Sequence, residues 1–79
     1  MFDDVPVDAT VDASGLDCPL PLLKAKQGLK QLSPGQHLKV IATDPGSVRD
    51  FKVFAELSGT ALLHSGQSGE RYYYILQKP

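Results

Sequence analysis

The sequence contains a single cysteine, Cys18, and no tryptophan among its 79 residues. One cysteine cannot close an internal disulfide, form a C-x-x-C redox pair or supply a cysteine-rich zinc site. The two histidines, His37 and His64, do not lie at metal-site spacing from Cys18. These absences exclude a disulfide-stapled domain, a dithiol reductase and a cysteine-rich zinc module.

The sequence also lacks an excess of either charge and lacks a long apolar run. Eight basic and nine acidic side chains give a formal net charge of −1, whereas proteins that bind nucleic acid usually carry a clear basic excess. No apolar run approaches the ~18 residues that a membrane-spanning helix needs. The first charged residues are the acidic Asp3 and Asp4, whereas a secretory signal has basic residues near its start. We therefore expect a cytoplasmic protein with a reduced cysteine, no direct stable binding to nucleic acid and no membrane association.

The composition, 42% hydrophobic and 22% charged, is that of an ordinary globular protein of one small domain. Residues 1–8 carry three aspartates and a proline, and we predict that they form a flexible N-terminal tail. We predict that residues 9–79 form a single domain.

Hydrophobic periodicity predicts the element order βαβαββ. Two βα units imply right-handed crossovers with both helices on one face of the sheet. The predicted fold is therefore an α+β, two-layer α/β sandwich with a mixed four-stranded sheet. The predicted elements are strands at residues 9–14, 38–42, 61–64 and 71–77, helices at residues 19–32 and 47–58, and a polar loop at residues 65–70.

Cys18 stands at the predicted start of the first helix. The N–H groups of a first helical turn have no intrahelical partner, so Pro19 and Pro21 fit there and fix the helix start at Pro19. With Cys18 at or beside the N-cap, the helix macrodipole favours the thiolate, which is the nucleophilic form. Asp17 acts in the opposite direction, because one negative charge disfavours a second one nearby. The sequence leaves the net direction of the Cys18 pKa shift open, and a small apolar residue at a turn is the alternative interpretation.

The sequence resembles the TusA/SirA-like sulfur-carrier (sulfurtransferase) family in three segments. These are D-A-x-G-L-x-C-P-x-P at residues 12–21, Pro34-Gly35, and T-D-P-x-x-x-R-D at residues 43–50. The resemblance runs from residue 8 to residue 78 and implies a βαβαββ two-layer sandwich. It implies that the C-P-x-P cysteine, Cys18, accepts a sulfane sulfur as a persulfide and passes it to an acceptor protein thiol. The implied donor is a cysteine desulfurase or a rhodanese-like protein, and in one branch of the family the sulfur ends in the 2-thiouridine of transfer RNA.

Two positions depart from the family pattern. Leu20 stands where the member that gives the family its name carries an acidic residue, and Lys52-Val53 replaces the Ile/Pro-like pair expected after Arg-Asp. Both departures concern partner identity, and they leave the implied carrier chemistry intact.

The single cysteine also fits a persulfide relay on chemical grounds. Such a relay needs one accessible thiolate and no second thiol nearby, because a neighbouring thiol would discharge the persulfide as a disulfide. We expect no metal, no organic cofactor and no other small-molecule cofactor. The protein would then be a component of a sulfurtransferase system and not a self-sufficient enzyme.

Acidic and basic residues after the second strand are candidates for supporting Cys18. Parallel first and second strands would bring the Cys18 loop and the Asp44 loop to the same edge of the sheet. Asp44, Arg49 and Asp50 would then shape that edge, and Arg49 would attract an anion. Turn and cap chemistry with a local ion pair is the alternative interpretation.

Three lysines of the first helix, Lys24, Lys26 and Lys30, leave one of its sides basic with no acid between them. A donor or acceptor protein would dock there by charge complementarity, and a solvated helix face is the alternative.

Other functions remain open at this point. The first is a non-catalytic regulatory protein-interaction module, and the second is a peroxide-sensing thiol. An RNA-binding domain is disfavoured by the charge balance. Tyr72, Tyr73 and Tyr74 do not support it either, because alternation along a strand puts Tyr73 on the face opposite the other two.

Overall fold

The computed structural model describes residues 7–79. The order of the elements is βαβαββ, which confirms the prediction. The predicted tail at residues 1–8 lies mostly outside the described residues; within it, Asp8 is bonded to β2, since its N–H donates to the His37 carbonyl oxygen at 2.9 Å. The elements are β1 Ala9–Ala13, α1 Leu20–Lys30, β2 His37–Ala42, α2 Ser47–Ser58, β3 Ala61–Ser68 and β4 Arg71–Gln77.

The four strands form one mixed sheet in the order β1-β2-β4-β3. β1 is parallel to β2, and β4 is antiparallel to both of its neighbours. Leu38, Val40 and Ala42 alternate along β2 onto one face of the sheet and are fully buried. Both helices cover that face, which gives the predicted two-layer sandwich.

The core lies between the helices and this face. α1 contributes Ala25 and Leu29, and α2 contributes Phe51. The Phe51 ring stacks on the Tyr74 ring of β4 with 4.3 Å between centroids. The Tyr74 hydroxyl also forms a buried 2.7 Å hydrogen bond with the Ser47 hydroxyl. These two contacts fasten the beginning of α2 to the middle of the sheet.

Serine is a common N-cap residue, so the sequence favours Ser47 as the N-cap of the second helix, and the structure corrects this detail. Ser47 is the first residue of α2 and Gly46 is the N-cap, with no side-chain capping bond. A serine side chain that bonds to Tyr74 inside the core does not turn back to cap its own helix. α2 therefore begins where it was predicted to begin, but its first turn is held by the core.

α1 lies close against the sheet because residue 28 is glycine. A Cβ at Gly28 would stand 3.0 Å from Val11 and 3.3 Å from Leu38, which is closer than side-chain atoms normally approach. The helix begins at Leu20 with Pro19 as its N-cap, and it ends at Lys30. The predicted span of residues 19–32 was therefore slightly too long.

The predicted loop at residues 65–70 was wrong. β3 continues to Ser68, which pairs with Arg71, so only Gly69 and Glu70 form the turn between β3 and β4. Gly69 has a φ of 59°, as a tight hairpin turn requires. β3 is an edge strand exposed to solvent, so its polar residues carry no hydrophobic alternation that would reveal the strand.

Neither of the two helices in the described part of the chain has the length and hydrophobicity that a membrane crossing needs.

Candidate functional site

Cys18 and the turn after β2 meet at one end of the sheet. β1 and β2 are neighbouring parallel strands that end level with each other, at the pair Ala13 and Ala42. The segments that follow them therefore leave the sheet together, and the Gly15 N–H joins them by donating to the Thr43 hydroxyl at 2.8 Å. Cys18 is exposed, and the Cys18–Pro19 peptide bond is cis.

The thiol of Cys18 donates a hydrogen bond to the Asp50 carboxylate, which α2 supplies from 32 residues further along the chain. Gly46 lies beside this contact. A Cβ at Gly46 would stand 3.5 Å from the Cys18 Cβ, 3.8 Å from its Sγ and 2.8 Å from an Asp44 carboxylate oxygen. The Cys18 side chain and the Asp44 carboxylate therefore both lie against the backbone at the beginning of α2.

Asp50 and Asp44 determine the direction of the Cys18 pKa shift, which the sequence left open. The hydrogen bond to Asp50 stabilises the protonated thiol, a loss of hydration adds to the effect, and the charges of Asp50 and Asp44 act in the same direction. Together they raise the pKa of Cys18 from 9.0 to about 11. Asp17, the sequence neighbour expected to oppose the thiolate, is not among the groups that shift this pKa. The opposing charges come from residues that only the fold brings near.

The N-terminus of α1 offers little to balance this effect. Pro19 and Pro21 have no N–H group, and the Leu20 N–H donates to the Asp17 carbonyl oxygen at 2.8 Å. Two of the backbone donors that usually stabilise an anion at a helix N-terminus are therefore absent, and a third is already used. The expectation that the helix start would favour the thiolate is corrected for this reason, and the two prolines were its signal in the sequence.

The remaining predicted site residues do not all surround Cys18. Pro21 is fully buried and anchors the start of α1, whereas Pro19 is exposed. Arg49 is exposed and forms no salt bridge within residues 7–79, so the local ion pair of the alternative interpretation is not found there. Within residues 7–79, no group of three or more His, Cys, Asp or Glu side chains is placed so that it could hold a metal ion.

A groove of about 600 Å³ separates α1 from α2 and reaches the site at Asp50. Lys26 and Arg49 are its basic residues, and the Lys26 Nζ lies 5.4 Å from the centre of the Phe54 ring. The sequence did not reveal this groove, because Val53 and Leu57 follow the spacing of an amphipathic helix but remain exposed, Leu57 to 84%. The groove is lined by Leu22, Lys26, Arg49, Asp50, Val53, Phe54, Leu57 and Ser58.

The three lysines of α1 do not share one side. Lys26 lines the groove between the helices, whereas Lys24 lines a separate hollow with Leu16, Leu20 and Leu23. Positions 24 and 26 lie on different sides of a helix because each residue advances about 100°. All three lysines are exposed, as expected, but the basic side predicted for α1 does not include Lys24.

Comparisons with known proteins identify relatives of this chain. A family model described as "Sulfurtransferase TusA" matches residues 9–78. The sulfur carrier protein TusA of Allochromatium vinosum is 51% identical over 71 residues, which cover 90% of this chain and 93% of that protein. The same-named protein of Pseudomonas fluorescens is 40% identical over 76 residues, covering 96% and 92%.

A solved structure supports the architecture. The crystal structure of a SirA-like protein from Desulfitobacterium hafniense matches with a TM-score of 0.76 and 24% identity, over 87% of this chain and 95% of that one. At this identity the likeness shows a common fold. The family match, which takes in both the Cys18 and the Asp50 segments, and the two relatives at 51% and 40% identity show that the chain belongs to the TusA sulfurtransferase family.

Proposed function

We propose that this protein is a sulfur carrier that holds a sulfane sulfur as a persulfide on Cys18. The sole thiol of the chain is exposed at the edge of the sheet, in the C-P-x-P segment, and this observation carries the proposal. Membership of the family supports it, since the relatives are named as sulfur carrier proteins. A solitary thiol also suits the chemistry, because no second cysteine can discharge the persulfide as an internal disulfide.

The transfer is a thiol–persulfide exchange. The Cys18 thiolate attacks the terminal sulfur of a donor persulfide, a new sulfur–sulfur bond forms at Cys18, and the bond within the donor breaks. The donor cysteine leaves as a thiolate and takes up a proton, so sulfur moves without any external oxidant. Delivery repeats the same exchange, with an acceptor thiolate attacking the outer sulfur on Cys18.

Both half-reactions need a partner protein. We propose a cysteine desulfurase or a rhodanese-like protein as the donor and a protein cysteine as the acceptor, with 2-thiouridine synthesis in transfer RNA as one destination. Exposed apolar side chains next to the site, Leu20 and Leu23, and the groove beside Lys26 offer contact surface for such partners. A reducing compartment, the cytoplasm, would keep Cys18 available between cycles.

Loading tests this proposal directly. Incubation with a cysteine desulfurase and cysteine is expected to increase the intact mass of the protein by one sulfur atom. Peptide mapping after alkylation should place that sulfur on Cys18, and Cys18→Ala should gain nothing. A gain of one sulfur that persists in Cys18→Ala, or no gain from any sulfane donor, would refute the assignment.

A regulatory interaction module is the second candidate, and the open groove between α1 and α2 is the observation that favours it. A module of this kind would keep its function in Cys18→Ser and would lose it on charge reversal at Lys26 and Lys30. The carrier loses its function in Cys18→Ser, and the same charge reversals only slow its loading, most clearly at low salt. Complementation of a deletion strain with these variants distinguishes the two.

A further inference from the structure

The residues around Cys18 disfavour the thiolate form that the proposed exchange requires. A sulfur carrier must present a thiolate to its donor, yet the groups that act on the Cys18 sulfur are a hydrogen-bonded carboxylate, Asp50, and a second carboxylate, Asp44. Both disfavour the thiolate. The free protein therefore keeps its one thiol protonated at neutral pH and slow to react.

We propose that Asp50, with Asp44, holds Cys18 as an unreactive thiol in the free carrier, and that a partner protein releases the thiolate by bringing a basic side chain against Asp50. This regulation rests on the proposed function. The partner is thereby defined by its chemistry, as a protein that carries a lysine or arginine beside its own sulfur-donating cysteine.

The charged groups around the sulfur indicate that the cation must come from outside. Asp17 precedes Cys18, while Asp44 and Asp50 face it from the loop after β2 and from α2. Lys26 and Arg49 line the same groove as Asp50, but neither forms a salt bridge within residues 7–79. Burial raises the pKa of Tyr74, the nearby core hydroxyl, which is therefore neutral. Within the described chain, no cation is among the groups that set the Cys18 pKa.

Asp44 strengthens the effect because its charge is poorly compensated. One of its carboxylate oxygens is buried and has no hydrogen-bond partner among the described residues. A charge held away from water is screened less than an exposed one, so its repulsion of a nearby thiolate persists. Asp50 is different, because it also lines the open groove between the helices. A basic side chain of a docked partner can therefore reach Asp50.

The sulfur transfer that follows release of the thiolate needs no co-reactant. When the partner's cation pairs with Asp50, the Cys18 thiol loses its acceptor, ionises and gives its proton to the solvent. The thiolate then takes the outer sulfur of the donor persulfide, and the donor thiolate that leaves takes a proton back. The net reaction converts a thiol and a persulfide into a persulfide and a thiol, with no change in total oxidation state.

The first test measures the rate of alkylation of the free protein with iodoacetamide as a function of pH. In Asp50→Asn we expect the midpoint to fall from about 11 towards the ordinary value of 9.0. A fall by the full difference of about two pH units would raise the thiolate fraction at neutral pH by about 100-fold, and lower basicity would reduce its intrinsic nucleophilicity by about tenfold. Because Asp44 remains in this variant, the net expectation is alkylation up to about tenfold faster at neutral pH. Asp44→Asn should shift the midpoint less, in the same direction.

Glu56→Gln is the matched control, because it removes an exposed carboxylate from the same helix at a distance from the sulfur. It should leave the pH profile unchanged. Unchanged profiles in both Asp50→Asn and Asp44→Asn, with native circular dichroism, would overturn the proposal. This measurement requires no sulfur transfer, so its outcome is independent of the proposed function.

The second test compares two sulfur donors. Asp50→Asn should be loaded up to about tenfold faster than the wild type by inorganic polysulfide, which carries no cation to neutralise Asp50. With a cysteine desulfurase, the loading rate of Asp50→Asn should exceed that of the wild type little or not at all, because that partner already supplies the neutralising charge. Equal acceleration with both donors would contradict the role of the partner. Loading by neither donor would instead refute the carrier function while the alkylation result stood.

Discussion

Replacing Cys18 with serine is expected to reduce sulfur delivery to the rate measured without any carrier. In a reconstituted relay of donor, carrier and acceptor, the wild type should link the two partners, whereas a serine hydroxyl cannot form the sulfur–sulfur bond that holds the cargo. The fold should persist, because Cys18 is exposed and outside the core. Time courses of sulfur appearance on the acceptor, with circular dichroism as the check on folding, measure this effect.

The matched control adds a thiol at another exposed position. Ser33 is exposed just beyond the other end of α1 from Cys18, so Ser33→Cys in the Cys18→Ser background restores a free thiol without Asp50 or the C-P-x-P segment. We expect no recovery of delivery. Substantial recovery would show that any accessible thiol suffices, and the site described around Cys18 would then have no special role.

Phe51→Ala is expected to have the largest effect on stability. Phe51 is fully buried and stacks on Tyr74, which joins α2 to the sheet. Removing a buried phenylalanine side chain typically costs about 3–5 kcal/mol. A domain of this length has a total stability of roughly 4–12 kcal/mol, so the variant should lose a large part of it. Urea denaturation followed by circular dichroism should show the midpoint fall sharply.

Val53→Ala provides the comparison on the same helix. Val53 is 42% exposed, so its truncation removes little buried surface and should change the free energy of unfolding by less than about 1 kcal/mol. Similar losses in Phe51→Ala and Val53→Ala would mean that α2 does not pack on the sheet as described.

Much of the fold follows from local patterns in the sequence. Leu22, Ala25, Leu29 and Leu32 recur at helical spacing and predict α1, and Ala25 and Leu29 are buried. The prolines of the C-P-x-P segment mark the helix start to within one residue. The second half of β3 could not be predicted, because Ser65 to Ser68 lie on an exposed edge, where pairing with β4 and not hydrophobic burial defines the strand.

The site could be predicted in position but not in its electrostatics. The topology of two parallel strands was enough to place Asp44 and Asp50 near Cys18. The hydrogen bond between Cys18 and Asp50 joins residues 32 apart in the chain, so it depends on how the loop before α1 packs against α2, which no local pattern specifies. The groups that raise the Cys18 pKa are brought to it by this packing, and therefore only the structure could supply the direction of the shift.

The carrier function is tested most directly by following labelled sulfur from the isolated, loaded protein. The protein is loaded with isotopically labelled sulfur by a cysteine desulfurase, separated from the donor and mixed with an acceptor protein that has one reactive cysteine. We predict that the label leaves Cys18 and appears as a persulfide on the acceptor, with equal amounts lost and gained. Label that remains on Cys18, or that leaves it only as free sulfide, would contradict a role as a sulfur carrier.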